Sequence, residues 1–148
     1  MLIVIVILGI LAGMIMLTFG RSSDNTEATA ILAHLDSAKS ALLAYSMEHR
    51  TRNVDPLNWF VGKNSSEIRT SIDKYLESQV QTGGGAAAVK YFNTLSVKTD
   101  GGNVEVGFDG FTVSSGIASA LDKKIKAGGG TYTGSGGVGT YSLWLRIR

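Results

Sequence analysis

Residues 1–19 of this chain read MLIVIVILGILAGMIMLTF, a stretch with no charged side chain and a single hydroxyl group, that of Thr18. All 14 Lys and Arg residues and all 12 Asp and Glu residues lie between residues 20 and 148. An apolar stretch of this length is typical of a membrane-spanning helix. With ~1.5 Å of rise per residue it would extend ~28 Å, close to the ~30 Å of bilayer hydrocarbon. We therefore expect residues 1–19 to form a transmembrane helix.

A secretory signal peptide is the first alternative for such an N-terminal stretch. Signal peptides carry a positive region before the apolar core and a small-residue cleavage site after it. No Lys or Arg precedes this stretch, and no A-x-A sequence lies near its end. The positive-inside rule, by which Lys and Arg flank a membrane span on its cytoplasmic side, is also unmet, because no charged residue precedes the stretch. We expect that a basic leader has been removed or that the sequence starts late.

Residues 20–55 predict an amphipathic continuation of the same helix. Apolar residues recur at spacings of three and four, which places them on one face. This apolar stripe comprises Ala28, Ile31, Leu35, Ala38, Leu42 and Tyr45. We expect its larger members, Ile31, Leu35, Leu42 and Tyr45, to pack against a head domain.

The end of this helix and its other face are also predicted. Glu48 and Arg52 have the spacing of a helical ion pair, and Asp55-Pro56 would end the helix. A second stripe of small residues predicts close packing with a neighbouring subunit, or reflects only the helix propensity of alanine. Its members are Ala30, Ala33, Ser37, Ala41 and Ala44.

Residues 56–148 predict a globular head that contains two further helices. The first is expected over 65–80, with Ser65 or Ser66 as the N-cap. Its apolar face comprises Ile68, Ile72, Tyr75 and Leu76. The second is expected over 116–127, with Ser114 or Ser115 as the cap and with Ile117, Leu121 and Ile125 facing inward.

From residue 91 the apolar period changes to two, which predicts antiparallel strands. A tight hairpin turn is expected at Asp100-Gly101-Gly102-Asn103, a further short strand over 111–113 and a glycine-rich loop over 128–139. The final strand presents Tyr141, Leu143, Leu145 and Ile147 on one face and Trp144, Arg146 and Arg148 on the other. A long helix whose apolar stripe covers an antiparallel sheet is an α+β fold.

The residue types needed for catalysis or cofactor binding form no recognisable pattern. The chain has no cysteine, which excludes disulfides and thiol chemistry. Residues 134–139 match G-x-G-x-x-G, but a strand-like segment follows them where the dinucleotide motif requires a helix. His34 and His49 lack metal-site spacing, and no serine has the context of a nucleophile. We expect no enzymatic activity, no cofactor and no metal.

A group of oxygen-bearing residues in the C-terminal half raises the alternative of a calcium site. Its members are Asp100, Asn103, Glu105, Asp109 and Asp122. Calcium needs about six to eight converging oxygen ligands, and this spacing matches no calcium-binding loop. Turn formation explains Asp100 and Asn103 more simply, so calcium is the less favoured interpretation.

A short basic cluster comprises Lys123, Lys124 and Lys126, with Arg146 and Arg148 near the end of the chain. Such a cluster could contact the phosphates of DNA. The three lysines, however, fall in the last turns of an expected helix, where cations are favoured. The net charge of +2 is also too small to indicate a nucleic-acid partner. We therefore expect none.

The stretch from Met1 to Ala12, MLIVIVILGILA, closely resembles the N-terminal helix of type IV pilins and type II secretion pseudopilins. In that family a short Phe-Thr-Leu-Ile-Glu-like sequence precedes the apolar run, so it and the leader would lie upstream of Met1. Many members carry a proline late in this run, whereas Pro56 is the only proline here. We therefore expect any bend at Gly9 or Gly13. Many pilins also close a disulfide, and its absence favours the pseudopilins.

The resemblance implies a pilin-like fold and a structural role in a type IV pilus or pilus-like filament. The subunit would wait in the bacterial cytoplasmic membrane with its head outside. A prepilin peptidase and the assembly machinery would then build a periplasmic or extracellular filament from identical and related minor subunits. The expected membrane and filament contacts are Ile3, Val4, Ile7, Gly9, Ile10, Leu11, Gly13 and Met14. The alternatives are a type II secretion pseudopilin and a static single-pass membrane-anchored binding domain.

Overall fold

The computed structural model describes the backbone of residues 2–50, 55–76, 91–128, 130–133 and 139–147; the side chains of residues 2–22 and of Tyr132 lie outside the description. The helices are α1 (Leu2–Glu48), α2 (Ser65–Ile72) and α3 (Ser115–Ala127), with 3-10 turns at Pro56–Phe60 and Asp73–Tyr75. The strands are β1 (Leu95–Asp100), β2 (Asn103–Val113), β3 (Thr131–Thr133) and β4 (Gly139–Arg146). The predicted α+β class is confirmed.

Within the described residues, the four strands form one antiparallel sheet in the order β1-β2-β4-β3. Val106 pairs with Val97 on β1 and with Leu145 on β4, which fixes the register of the three longer strands. Because side chains alternate along a strand, this register places the valines, leucines and phenylalanines on one inner face. The inner face packs against α1, and the opposite, outer face carries the polar residues.

The predicted hairpin turn is confirmed, with Asp100 opposite Asn103 and two glycines between them. Gly101 and Gly102 both have positive φ, at 55° and 85°. Both values lie in the left-handed region that a two-residue turn between twisted strands requires, and glycine adopts this region without steric cost.

The separate short strand predicted over 111–113 is wrong, because these residues continue β2. The register shifts between Asp109 and Phe111, and Gly110 adopts a φ of 75° at this bulge. The extra residue lets Phe111 point to the same face as Phe108 and join the core. Part of the loop predicted over 128–139 is also wrong, since Thr131–Thr133 forms β3.

The first predicted helix of the head is shorter than expected. It ends at Ile72 and continues only as a 3-10 turn to Tyr75, and residues 77–80 lie outside the described residues. Its N-cap is Asn64 instead of Ser65 or Ser66. The Asn64 side chain accepts from the backbone N–H of Glu67, while Glu67 accepts from the backbone N–H of Asn64, and together they form a capping box. At α3, in contrast, the predicted Ser114 cap is confirmed.

Helix α1 is continuous over 47 residues. Among the residues whose side chains are described, no helix is both long and apolar enough to cross a membrane. The side chains of residues 1–19 lie outside that set, so the transmembrane helix expected there stays a prediction.

Candidate functional site

The surface with the clearest bearing on function is the junction between α1 and the head. The structure places Ile31, Leu35 and Leu42 on one face of α1, each with 0% exposure, beneath the inner face of the sheet. Ala28, one turn before Ile31, and Ala38, between Leu35 and Leu42, are equally buried. The alanines keep the helix close to the sheet, and the larger residues fill the remaining space at the density of a protein core.

Tyr45 marks the C-terminal edge of this junction and is half-buried. Its ring meets Phe60 edge-on at 4.9 Å between centroids and Tyr75 at 6.0 Å. His49 stacks on its other side at 4.1 Å. The 3-10 turns on either side of α2 therefore close over the end of the helix with aromatic rings, an arrangement that favours rigid packing.

Two carboxylates of α1 accept hydrogen bonds from the head. Glu27 accepts a hydrogen bond of 2.9 Å from the Tyr91 hydroxyl, and burial together with this bond raises the pKa of Tyr91. Twenty-one residues later, Glu48 accepts hydrogen bonds from Tyr75 and, at 2.9 Å, from Lys74. These donors, the tyrosine first, lower the pKa of Glu48. The Arg52 expected to pair with Glu48 lies outside the described residues.

The two histidines differ in their surroundings. His34 is half-buried, with its ring 6.3 Å from that of Phe92, and burial lowers its pKa. His49 is exposed, and its Nδ1 lies 3.0 Å from the backbone oxygen of Tyr45. His34 therefore belongs to the interface between α1 and the head.

Helix α3 meets α1 at Asp24. Asp24 packs against Gly116 so closely that a Cβ atom at residue 116 would lie 1.9 Å from its Oδ2. The carboxylate thus lies at the first turn of α3, where the helix dipole favours a negative charge. The glycine permits the two helices to approach at this point.

The outer face of the sheet holds a charged and aromatic cluster formed by Lys98, Glu105 and Trp144. The Nζ atom of Lys98 lies 3.4 Å from Oε2 of Glu105 and 4.1 Å from the centroid of the Trp144 ring. Glu105 and Trp144 are only 5% and 7% exposed. The alternation of the sequence assigned Trp144 correctly to the face opposite Leu143, but it did not indicate that this residue would be buried.

The residues considered for calcium do not converge. Glu105 is paired with Lys98, Asp122 with Lys126 at 2.8 Å, and Asp109 accepts a 2.5 Å hydrogen bond from Ser142. Over the described ranges, no three His, Cys, Asp or Glu side chains come together as a metal site would require. In the basic cluster considered for DNA contacts, Lys126 pairs with Asp122.

Several sequence predictions concern residues that the structure describes only in part. The structure does not describe the side chains of the expected filament residues, from Ile3 to Met14. Residues 134–138 of the glycine motif also lie outside the described residues. In the small-residue stripe, Ala30 and Ala33 are exposed but Ala41 is buried, so the stripe is not a single surface.

Sequence reasoning missed Tyr91 and Phe92, which are 2% and 3% exposed and contact α1. Two adjacent aromatic residues at the start of the segment predicted to form strands were the available signal. Comparison of the chain with models of protein families, with curated proteins and with solved structures found no match.

Proposed function

We propose that this chain is a structural subunit of a type IV pilus or a related pilus-like filament, assembled through its N-terminal hydrophobic helix. One observation carries the proposal. A single helix of 47 residues packs its C-terminal half into the head, beginning at Ala28, while residues 2–19 of the same helix are uncharged and almost wholly apolar in sequence.

The length of α1 supports this division of roles. A helix of 47 residues extends ~70 Å, whereas the buried stripe from Ala28 to Leu42 accounts for only ~21 Å of it. Residues 2–19 account for a further ~27 Å, and an apolar helix of that length is unfavourable in water and needs lipid or other helices around it. The transmembrane role of residues 1–19 and the pilin-like form of the fold belong to this proposal.

Assembly exchanges one apolar environment for another. In the membrane, residues 1–19 contact lipid; in a filament, identical helices surround them. Because lipid tails are as apolar as leucine, the hydrophobic effect does not favour moving the helix from lipid into the filament. Close packing of side chains between helices must favour this transfer. Ile3, Val4, Ile7, Ile10, Leu11 and Met14 are the residues we assign to this packing. The resemblance to pilins adds a prepilin peptidase, an assembly ATPase and a platform protein as partners.

The test is to express the protein in its host, together with any residues that precede Met1 there, and to shear the cells. The sheared supernatant and the membrane fraction are then analysed by mass spectrometry of the N-terminal peptide. The wild type is compared with Ile7→Asp, and Ile7→Leu serves as the matched control. A charge at mid-helix costs ~2.5–3.5 kcal/mol on insertion scales. We expect Ile7→Asp to lose both membrane retention and sheared filaments, and Ile7→Leu to retain both.

The outcomes separate the alternatives. Wild-type protein in sheared filaments, with a methylated amino terminus, would support the pilin role. Retention in the membrane without filaments would favour the static anchor, and dependence on a secretion system would favour a pseudopilin. Normal filament yield from Ile7→Asp would overturn the role assigned to residues 1–19.

A further inference from the structure

An open pocket of about 410 Å³ lies between α2 and the turn that precedes β1. One wall is formed by Ser65, Arg69 and Asp73, which are spaced four residues apart and therefore lie on one face of α2 and its 3-10 extension. The opposite wall is formed by Phe92 and Asn93. The volume lies within the ~300–1,000 Å³ typical of small-molecule sites, but the lining is more polar than is usual for them.

The two charged residues of the pocket do not neutralise each other. Among the described residues, neither Arg69 nor Asp73 takes part in an ion pair, although they stand at the i,i+4 spacing that allows one. Arg69 is half-buried, so its guanidinium is partly removed from water, while Asp73 is exposed. One pocket thus holds a cation and an anion about one helical turn apart.

Two hydroxyl groups of the pocket already donate their hydrogens within α2 and its N-cap. Ser66 donates its hydroxyl hydrogen to Asn64, and Thr70 donates its own to the backbone oxygen of Ser66. Because each hydroxyl carries one hydrogen, both oxygens can only accept a hydrogen bond from a ligand. Donors to a ligand are therefore Arg69, the Asn93 amide and the Ser65 hydroxyl, and the acceptors include the Asp73 carboxylate.

We propose that this pocket binds a compact zwitterion of the α-amino-acid type. The ligand carboxylate would lie on the Arg69 guanidinium, which suits a planar two-point contact. Its ammonium group would donate to Asp73 and to the hydroxyl oxygen of Thr70. The ligand side chain would face the ring of Phe92, which is otherwise buried against His34 and Phe108. The site is independent of the filament proposal.

The test uses the ¹⁵N-labelled whole chain in detergent micelles, with L-leucine as the probe. The Arg69 Nε–Hε and Asn93 side-chain signals should shift saturably. Leucinamide, which lacks the carboxylate, and N-acetyl-leucine, which lacks the ammonium group, should each bind at least about tenfold more weakly, since each loses a charge-assisted hydrogen bond.

Variants separate the site from a general effect of charge. Arg69→Gln and Asp73→Asn should each abolish the saturable shift, whereas Arg146→Gln and Asp36→Asn, at exposed positions elsewhere, should leave it unchanged. A dispersed spectrum shows that each variant is folded. No saturable shift with leucine at about millimolar concentration, or N-acetyl-leucine binding as tightly as leucine, would overturn the proposal.

Discussion

The indole ring of Trp144 lies directly against the backbone of Gly107 on the neighbouring strand. A Cβ atom at residue 107 would lie 2.5 Å from Cε3 of the ring and 2.2 Å from the carbonyl oxygen of Leu143. Favourable contacts between carbon atoms are about 3.5–4.0 Å. The absence of a side chain at residue 107 is therefore what allows the ring to lie on the outer face of the sheet.

Gly107→Ala should accordingly destabilise the protein. The methyl group displaces the indole or separates β2 from β4, and overpacking of this kind costs ~1–3 kcal/mol. Urea unfolding followed by circular dichroism measures the loss. Gly128→Ala is the control, because a Cβ atom there would meet its nearest neighbour at 3.6 Å and the φ of −90° suits alanine. Equal stabilities for the two variants would contradict the contact.

Lys98→Met should lower the free energy of unfolding by more than a substitution at a solvent-exposed lysine normally does. It leaves the buried Glu105 carboxylate without its cation, and an unsatisfied buried polar group costs ~1–3 kcal/mol. The methionine still covers the Trp144 ring, so the change isolates the charge. Unfolding of the single and double variants provides the measurement.

Lys98→Met combined with Glu105→Gln serves as the control for that prediction. Removing both charges should recover much of the lost stability, because the glutamine is neutral. If the two losses simply add, Lys98 and Glu105 are not energetically coupled and the ion pair contributes nothing to stability.

The sequence predicted those elements whose signal is local. The Gly101-Gly102 turn carries its own backbone preference, and Ser114 satisfies the N–H of Ile117 within the same turn of chain. The apolar stripe through Ile31 and Leu35 follows from helical spacing alone. In each case the residues that determine the structure lie within a few positions of one another.

The missed Asn64 cap had a local signal in its spacing to Glu67, but the other errors concern features that depend on distant partners. Residues 111–113 were predicted as a separate strand, yet the pairing of Phe111 with Tyr141 makes them part of β2. Glu105 was considered as an oxygen ligand, yet the strand register places it beside Lys98. In the candidate site, the alternation of apolar and polar residues predicted which face of the sheet Trp144 occupies. The space that Gly107 leaves for its ring depends on the pairing of these two residues, which the sequence does not show.

Leu35→Ala tests whether α1 is part of the core of the head. Leu35 has no exposed surface, and removing a buried leucine side chain costs ~2–5 kcal/mol. Ser40→Ala is the control on the same helix, since Ser40 is exposed and its change should alter stability by less than ~0.5 kcal/mol. Thermal unfolding of both variants gives the comparison. A small effect of Leu35→Ala would mean that the head folds without this half of α1.

The burial of His34 makes stability depend on pH in a defined direction. Burial lowers the pKa of His34 below its ordinary value of 6.5, so between the two values the unfolded chain binds more protons than the folded protein. Stability should therefore fall as pH decreases below about 6.5 and stop falling below the folded-state pKa. Denaturant midpoints measured across this range should show the slope in wild type and in His49→Gln, and a reduced slope in His34→Gln. A slope unchanged by His34→Gln would show that another group is responsible.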